Sequence, residues 1–259
     1  MTGQTRTMAF ISPLGGTGQT TLVANLAHLV TLRGLPCLAL DLCAQNGLGL
    51  HLGLTETPRQ GWVALAAAQQ WWGDAALENS DQVRFLPFGD TGLAALDTLN
   101  QTLLHQPDWL AQQLECLALD SPGLILLDAP AWPAHLALQA LRCADLVVIA
   151  LDASLRACQA RGQVLALLAQ SGPHARHAVV ATRFDPRRDS QRMALRTLQD
   201  QWGERLAPHV LHEDESAQAA LGTSSCTTAL TPQSQSAHDL QGIASWLLAQ
   251  CPTLTGRSA

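Results

Sequence analysis

The sequence predicts a three-layer α/β fold, a doubly wound and mostly parallel sheet with helices on both faces. Short apolar segments alternate with helical patterns along nearly the whole chain, as a sheet built from strand–helix–strand units requires. Several of those segments, such as 124–127 and 146–151, are solidly apolar, as in strands covered on both faces. No linker long enough to divide the chain interrupts the alternation, and no internal repeat is present. The 259 residues suffice for one large domain, expected over 1–251, with 252–259 as a frayed tail.

Taken in order, strands are expected at 8–11, 37–42, 83–88, 124–128, 146–151 and 178–184, with a further short one at 210–212. Helices are expected at 19–33, 62–68, 109–118, 135–142, 155–169, 190–202, 217–221 and 237–250. In the first of these, Leu22, Val23, Leu26, Leu29 and Val30 recur at helical spacing until Gly34 stops the pattern. The segment 222–236, rich in Ser, Thr and Pro, reads as a loop before the last helix.

Between the first strand and the first helix runs Ser12-Pro13-Leu14-Gly15-Gly16-Thr17-Gly18-Gln19-Thr20-Thr21. Strand, glycine-rich turn and helix together form a phosphate-binding loop. Glycines let the backbone approach an anion, and the free N–H groups of the helix N-terminus point at it. Thr20 is placed to reach a magnesium ion with its hydroxyl. The position that ordinarily carries the loop lysine holds Gln19, and no other lysine can replace it, because all fifteen basic residues are arginines. A neutral amide in place of an ammonium forfeits roughly 1–2 kcal/mol of phosphate binding. Its absence is felt more strongly in the transition state of phosphoryl transfer.

In such a sheet, ligands sit beyond the C-terminal ends of the strands. Two acids lie there: Asp41 closes the second strand, and Asp128 closes the apolar run 124–127. Asp128 can hold a magnesium-bound water or cap the strand end; the glycine loop favours the first role. Asp152, also at a strand end, reads as a helix cap.

Bulk properties narrow the function classes. A net charge of −6 argues against a generic nucleic-acid coat, and no apolar run approaches the ~20 residues of a membrane span. The N-terminus lacks a signal core, and seven cysteines without a Cys-x-x-Cys pair suggest reduced thiols in a cytoplasm. The histidines show no metal-ligand spacing.

The glycine pair, the loop after the second strand and Asp128-x-Pro130 together resemble the ParA/MinD group of P-loop ATPases, over nearly the full length. That group's hallmark, Lys-Gly-Gly-x-Gly-Lys-Thr-Thr, aligns with Leu14 to Thr21, so both lysines are replaced. Arg59-Gln60-Gly61-Trp62, Leu86-Pro87-Phe88-Gly89 and Leu211-His212-x-Asp214-Glu215 are most similar to the branch encoded with bacterial cellulose synthase. The resemblance implies ATP or ADP with Mg2+ as cofactors. Gly15, Gly16, Thr17, Gly18, Gln19, Thr20 and Thr21 would line the phosphates, with Thr182, Arg183 and Asp214 toward the adenine. Thr20, Asp41 and Asp128 would serve the metal.

It also implies a homodimer with facing phosphate loops, Leu14 at or near that interface, and other cytoplasmic subunits of the cellulose synthase complex as partners. Recruitment to the inner membrane would come through those partners; after His238 the only positive residue is Arg257, so direct membrane insertion is not expected. The acid that orients the attacking water in the family is replaced by Cys43. With Leu14 and Gln19 this makes three missing catalytic parts, and the expectation is a nucleotide-binding, hydrolysis-poor accessory subunit with no catalytic residue of its own. The alternatives are an active ATPase positioning cargo through a dimer–monomer cycle, and a nucleotide-free scaffold. Trp71-Trp72 reads first as core and second as a partner surface. The arginines between Arg183 and Arg196 are interleaved with Asp185 and Asp189 and read as a solvated helix face, with Arg183 excepted for a base-side contact. Cys43 reads as an inert thiol.

Overall fold

Period-two alternation sorts every long strand onto two cores in the computed structural model, which describes residues 5–117, 119 and 123–251. The elements run β1 (Arg6–Ile11), α1 (Gln19–Leu32), β2 (Cys37–Asp41), α2 (Gly47–His51) and α3 (Trp62–Ala67), then a 3-10 turn at Trp72–Ala75. They continue with β3 (Leu77–Glu78), β4 (Arg84–Leu86), α4 (Leu93–His105), α5 (Trp109–Glu115), β5 (Leu124–Asp128), α6 (His135–Cys143) and β6 (Leu146–Asp152). The chain closes with α7 (Leu155–Gln159), α8 (Arg161–Leu168), β7 (Arg176–Thr182), α9 (Asp189–Trp202), α10 (Glu215–Gly222), α11 (Thr227–Leu230) and α12 (Gln235–Ala249). The sheet order is β3-β4-β2-β5-β1-β6-β7. Only the short β3 runs antiparallel, against β4. The three-layer, mostly parallel fold is the expected one.

On one face, Met8 and Phe10 of β1, Leu124 and Leu126 of β5, and Leu146 and Val148 of β6 pack under α1 and α12. On the other, Ala9, Ile11, Ile125, Leu127, Val147 and Ile149 pack against α3 to α9. Trp62 anchors that second core, fully buried and edge-on to Trp72 and Phe88, with ring centroids 5.9 and 5.7 Å away. Trp72 is therefore core, as expected, and donates to Gln113 Oε1 at 2.7 Å, whereas Trp71 is 43% exposed.

The structure departs from the sequence expectation in several places; the short α2, the 3-10 turn at Trp72–Ala75 and β3 are among the elements not expected. Helix α4 lies where no element is expected: its cap is Gly92, and the side chains of Thr98 and Thr102 bond back to the carbonyls of Ala94 and Thr98, so start signal and propensity are both weak. The helix expected over 155–169 breaks into α7 and α8 at Ala160, whose N–H is shared between Arg156 O and Ala157 O. The 210–212 segment forms no strand; Arg183 takes a left-handed φ of 54°, ends β7 at Thr182, and leaves only an isolated bridge from Phe184 to His212. The stretch expected as loop over 222–236 contains α11, whose Thr228 is held through its N–H and hydroxyl by Asn25 Oδ1. Asp152 caps no helix; Ser154 caps α7, accepting from Ala157 N. The tail expected at 252–259 lies outside the described residues.

Candidate nucleotide and metal site

Strand β1 delivers the glycine loop to the C-terminal edge of the sheet, and the loop backbone is shaped for an anion. Gly16 and Gly18 take φ of 74° and 75°, a region that β-carbons disfavour. A Cβ built on Gly15, Gly16 or Gly18 would meet nothing within 4 Å, so this stretch faces open space. Leu22 N donates to Gly18 O and starts the α1 ladder, leaving the preceding N–H groups of the first turn as free donors. Open backbone, positive φ and a helix N-terminus fit a phosphate chain.

The acids arrive by register. Asp41 and Asp128 are paired residues on adjacent parallel strands, and both fall on the face that carries α1. Both are fully buried. Thr20 Oγ1 donates to Asp128 Oδ2 at 2.7 Å, and Gln19 Nε2 donates to Asp128 Oδ1 at 2.6 Å and to Ala129 O at 2.7 Å. Asp41 accepts from the backbone N–H of Cys43 at 2.9 Å and of Leu48 at 3.1 Å. Trp62 Nε1 donates to the Asp41 carbonyl at 2.7 Å, fixing the strand end from the opposite face.

Burial raises the Asp128 carboxyl to about 6 against the pull of its bonds from Gln19 and Thr20. Burial, and then the charge of Asp128, raises Asp41 well above the usual carboxylate range. Two desolvated acids facing one another favour a cation between them, and with the Thr20 hydroxyl they form a donor set that suits Mg2+. Cys43 brings its sulfur into the same group, all ligand atoms lying within 4.8 Å of one another. Burial and the two acids push its thiol far up, so it is held protonated and donates to Asp128 O at 3.4 Å.

The base end is a cleft lined by Gly18, Thr21, Thr182, Arg183, Leu211, Asp214 and Leu240, among others. The structure thus brings together every residue expected to bind, but gives several of them work within the protein. Thr182 is buried and donates to Thr17 O at 2.7 Å, bracing the loop. Asp214 caps α10 through Ser216 N and also accepts from Ser236 N, at the start of α12. Thr21 Oγ1 lies 3.3 Å from His51 Nε2. Leu14 packs against its own chain's core. Arg183 reaches the loop rather than the base pocket alone, donating to Gly16 O at 2.8 Å and to Glu213 Oε1 at 3.0 Å.

Sequence reasoning missed Arg156, whose Nη2 lies 3.5 Å from Gly15 O, and the hold of Trp62 on Asp41. Trp62 enters the sequence reading only as part of Arg59-Gln60-Gly61-Trp62; Arg156 lies in α7 and Trp62 opens α3, and both contacts depend on how those elements pack rather than on local pattern. Among the described residues, no helix is long and apolar enough to cross a membrane.

Comparison with known proteins identifies the family. The family described as Cellulose biosynthesis protein BcsQ matches residues 7–248. The Cellulose biosynthesis protein BcsQ of Escherichia coli strain K12 is 27% identical over 237 residues, covering 90% of each chain. The protein of the same description from Salmonella typhimurium is 28% identical over 247 residues, again covering 90% of each. Among solved structures, the septum site-determining protein MinD of Pyrococcus horikoshii, complexed with Mg-ADP, superposes with a TM-score of 0.79 at 21% identity, covering 98% of this chain and all of that one. Cobyrinic acid a,c-diamide synthase of Mycobacterium smegmatis, with bound ATP analogue and magnesium, gives 0.80 at 22% identity, over 98% and 97% of the two chains. At these identities the structural likeness establishes the fold.

Proposed function

The chain belongs to the BcsQ family of cellulose biosynthesis proteins, and from that premise we propose that it is a nucleotide-binding, hydrolysis-poor accessory subunit of the cellulose synthesis and secretion apparatus. The observation that carries the reading is the contrast within one site. The binding parts are whole: an open glycine loop, a helix N-terminus, and two acids in register beside Thr20. The charged parts are gone: Gln19 spends its amide on Asp128 and Ala129, Leu14 packs into the core, and Cys43 is a protonated thiol.

In this reading the backbone donors of Gly15 to Thr21 hold the phosphates of ATP or ADP, and Thr20, Asp128 and Asp41 hold Mg2+. When bound, magnesium would neutralise phosphate charge. Thr182 keeps the loop in shape through Thr17 O, and the cleft bounded by Leu211, Asp214 and Leu240 takes the base. At the position of the family's water-orienting acid, Cys43 is a neutral thiol and offers no ionised base, and the carboxylates of Asp128 and Asp41 are engaged by Gln19, Thr20 and the N–H groups of Cys43 and Leu48. Two such subunits pair with their loops facing, in the cytoplasm, and reach the membrane through other subunits of the apparatus.

Isothermal titration with ATP and ADP in magnesium, at high protein concentration, tests the binding half; micromolar or weaker affinity is the expected result. No heat with either nucleotide would instead leave a scaffold that has kept the fold and lost the ligand. Single-turnover measurement with radiolabelled ATP tests the other half. Measurable turnover that Asp128→Ala abolishes would show a working ATPase.

A further inference from the structure

Within the nucleotide reading proposed above, we infer that Arg183 is the cation that meets the polyphosphate end of the ligand, entering from the end of β7 in place of a loop lysine. The loop supplies no cation of its own, since Leu14 and Gln19 stand at the two positions where its relatives' hallmark carries lysines. Arg183 is the first residue past β7. Its left-handed backbone, φ 54°, accompanies a side chain that returns to the loop, where Nη1 donates to Gly16 O at 2.8 Å. That carbonyl belongs to the glycine whose Cβ direction opens onto free space. The guanidinium is therefore one side-chain adjustment from the anion cradle.

Its present partners are exchangeable. The side chain is about half exposed, and Gly16 O is a neutral acceptor. Its second partner, Glu213, pairs at 3.0 Å but has Arg188 Nη1 3.8 Å from its other oxygen, so releasing Arg183 does not strand a lone carboxylate. A polyphosphate offers more charge and matches the planar fork of the guanidinium. The other nearby arginines are placed less well. Arg156 is longer on its carbonyl, 3.5 Å from Gly15 O, and sits 3.7 Å from Asp152. Arg187 and Arg192 are turned onto Asp185 and Asp189.

The test uses the full chain, titrated separately with ATP, AMP and inorganic tripolyphosphate. Arg183→Gln is expected to weaken ATP and tripolyphosphate roughly tenfold or more while AMP changes less than about twofold, the difference of a charge-assisted pair to the outer phosphates. Arg183→Lys, which keeps the charge but cannot bridge Gly16 and Glu213 at once, should retain most of the affinity, and a thermal melt checks that both variants fold. Glu213→Gln removes a competitor for the guanidinium and should tighten ATP a few-fold. Arg192→Gln should leave all three titrations unchanged.

Equal weakening of ATP and AMP by Arg183→Gln would place the residue at the base and overturn the inference. Equal loss in the Gln and Lys variants would make it a structural brace of the loop and overturn it likewise. ATP binding that Arg183→Gln leaves intact would overturn this assignment alone; a parent protein that binds neither ATP nor tripolyphosphate would overturn the nucleotide reading with it.

Discussion

Replacing Gln19 by lysine tests how the site has traded charge for hydrogen bonds. The Gln19 amide nitrogen donates twice, to Asp128 Oδ1 at 2.6 Å and to Ala129 O at 2.7 Å. A lysine ammonium at the same position is within reach of both acceptors and of the loop. Neutral hydrogen bonds contribute about 0.5–1.5 kcal/mol and those to charged groups about 1.5–3, so the substitution is worth roughly 1–2 kcal/mol wherever the ammonium settles. If it turns to bound phosphate, ATP affinity rises roughly 5- to 30-fold. If it stays on Asp128, the gain appears instead as a higher melting temperature of the free protein, a few degrees for a domain of this size. Calorimetric titration and thermal melting of Gln19→Lys, read together, should show the gain in one place or the other. Neither rising would refute the claim that position 19 lost a useful charge. Single-turnover hydrolysis should stay at background, because Leu14 and Cys43 remain and groups that act as a unit do not recover one at a time. Turnover restored by Gln19→Lys alone would refute the three-part account; the triple change Leu14→Lys, Gln19→Lys, Cys43→Asp is the one expected to rebuild it.

Gly16→Val should abolish nucleotide binding and the coupled dimer at a stability cost of only about 1–2 kcal/mol, since the φ of 74° is strained for valine but its Cβ meets nothing within 4 Å. Urea unfolding and sedimentation measure the two effects, and a variant that dimerises fully without nucleotide would uncouple them. Trp62→Phe removes the donor to Asp41 O and part of a packed aromatic cluster, so equilibrium unfolding should show a loss of about 2–4 kcal/mol. On acidification the buried histidines lower stability, while the raised Asp128 and Asp41 oppose them, because the folded chain takes up those carboxyl protons first. Burial lowers His51 to about 4 and lowers His28 against a smaller pull from Asp81, so below the unfolded value near 6.5 the unfolded chain takes protons that the folded one refuses. The loss from His51 grows from pH 6.5 down to about 4 and reaches roughly 3 kcal/mol. His51→Gln should flatten denaturant midpoints across that window, and an unchanged slope would contradict the assignment.

What could be read from the chain was whatever depends on local pattern. The glycine loop, the two strand-end acids and the strand–helix alternation follow from spacing, because backbone freedom at Gly16 and Gly18 and the burial of 124–127 are properties of a few adjacent residues. Helix α4 was not legible, since Gly92 gives no side-chain cap and Thr98 and Thr102 spend their hydroxyls on the backbone. The break at Ala160 was hidden for a related reason: Gln159 and Arg161 beside it are good helix formers, Gly162 is a weak signal absorbed inside α8, and the step itself shows only as a shared hydrogen bond. At the site, identity was legible and partnership was not. Arg183 could be singled out by its place after a strand, but its reach to Gly16 depends on where two loops meet, 167 residues apart in sequence.

The partnerships explain how the fold stands with two buried acids facing each other and no lysine anywhere in the chain. An uncompensated buried carboxylate is severely destabilising, and two in register on adjacent strands would repel as well. Here each is met by hydrogen-bond donors: Asp128 by the Gln19 amide and the Thr20 hydroxyl, Asp41 by the N–H groups of Cys43 and Leu48. Burial raises Asp41 well above the usual carboxylate range and Asp128 to about 6, so each takes up a proton more readily than a free carboxyl does. Gln19 is suited to this task in a way an alanine would not be, since its amide can serve Asp128 and Ala129 O together. Once an amide does that work, retaining the acids no longer depends on a lysine opposite them, and the same acids remain available for an incoming metal. The loss of the lysine and the retention of Asp41 and Asp128 are thus two sides of one arrangement, in which binding chemistry persists on a scaffold that satisfies itself without a ligand.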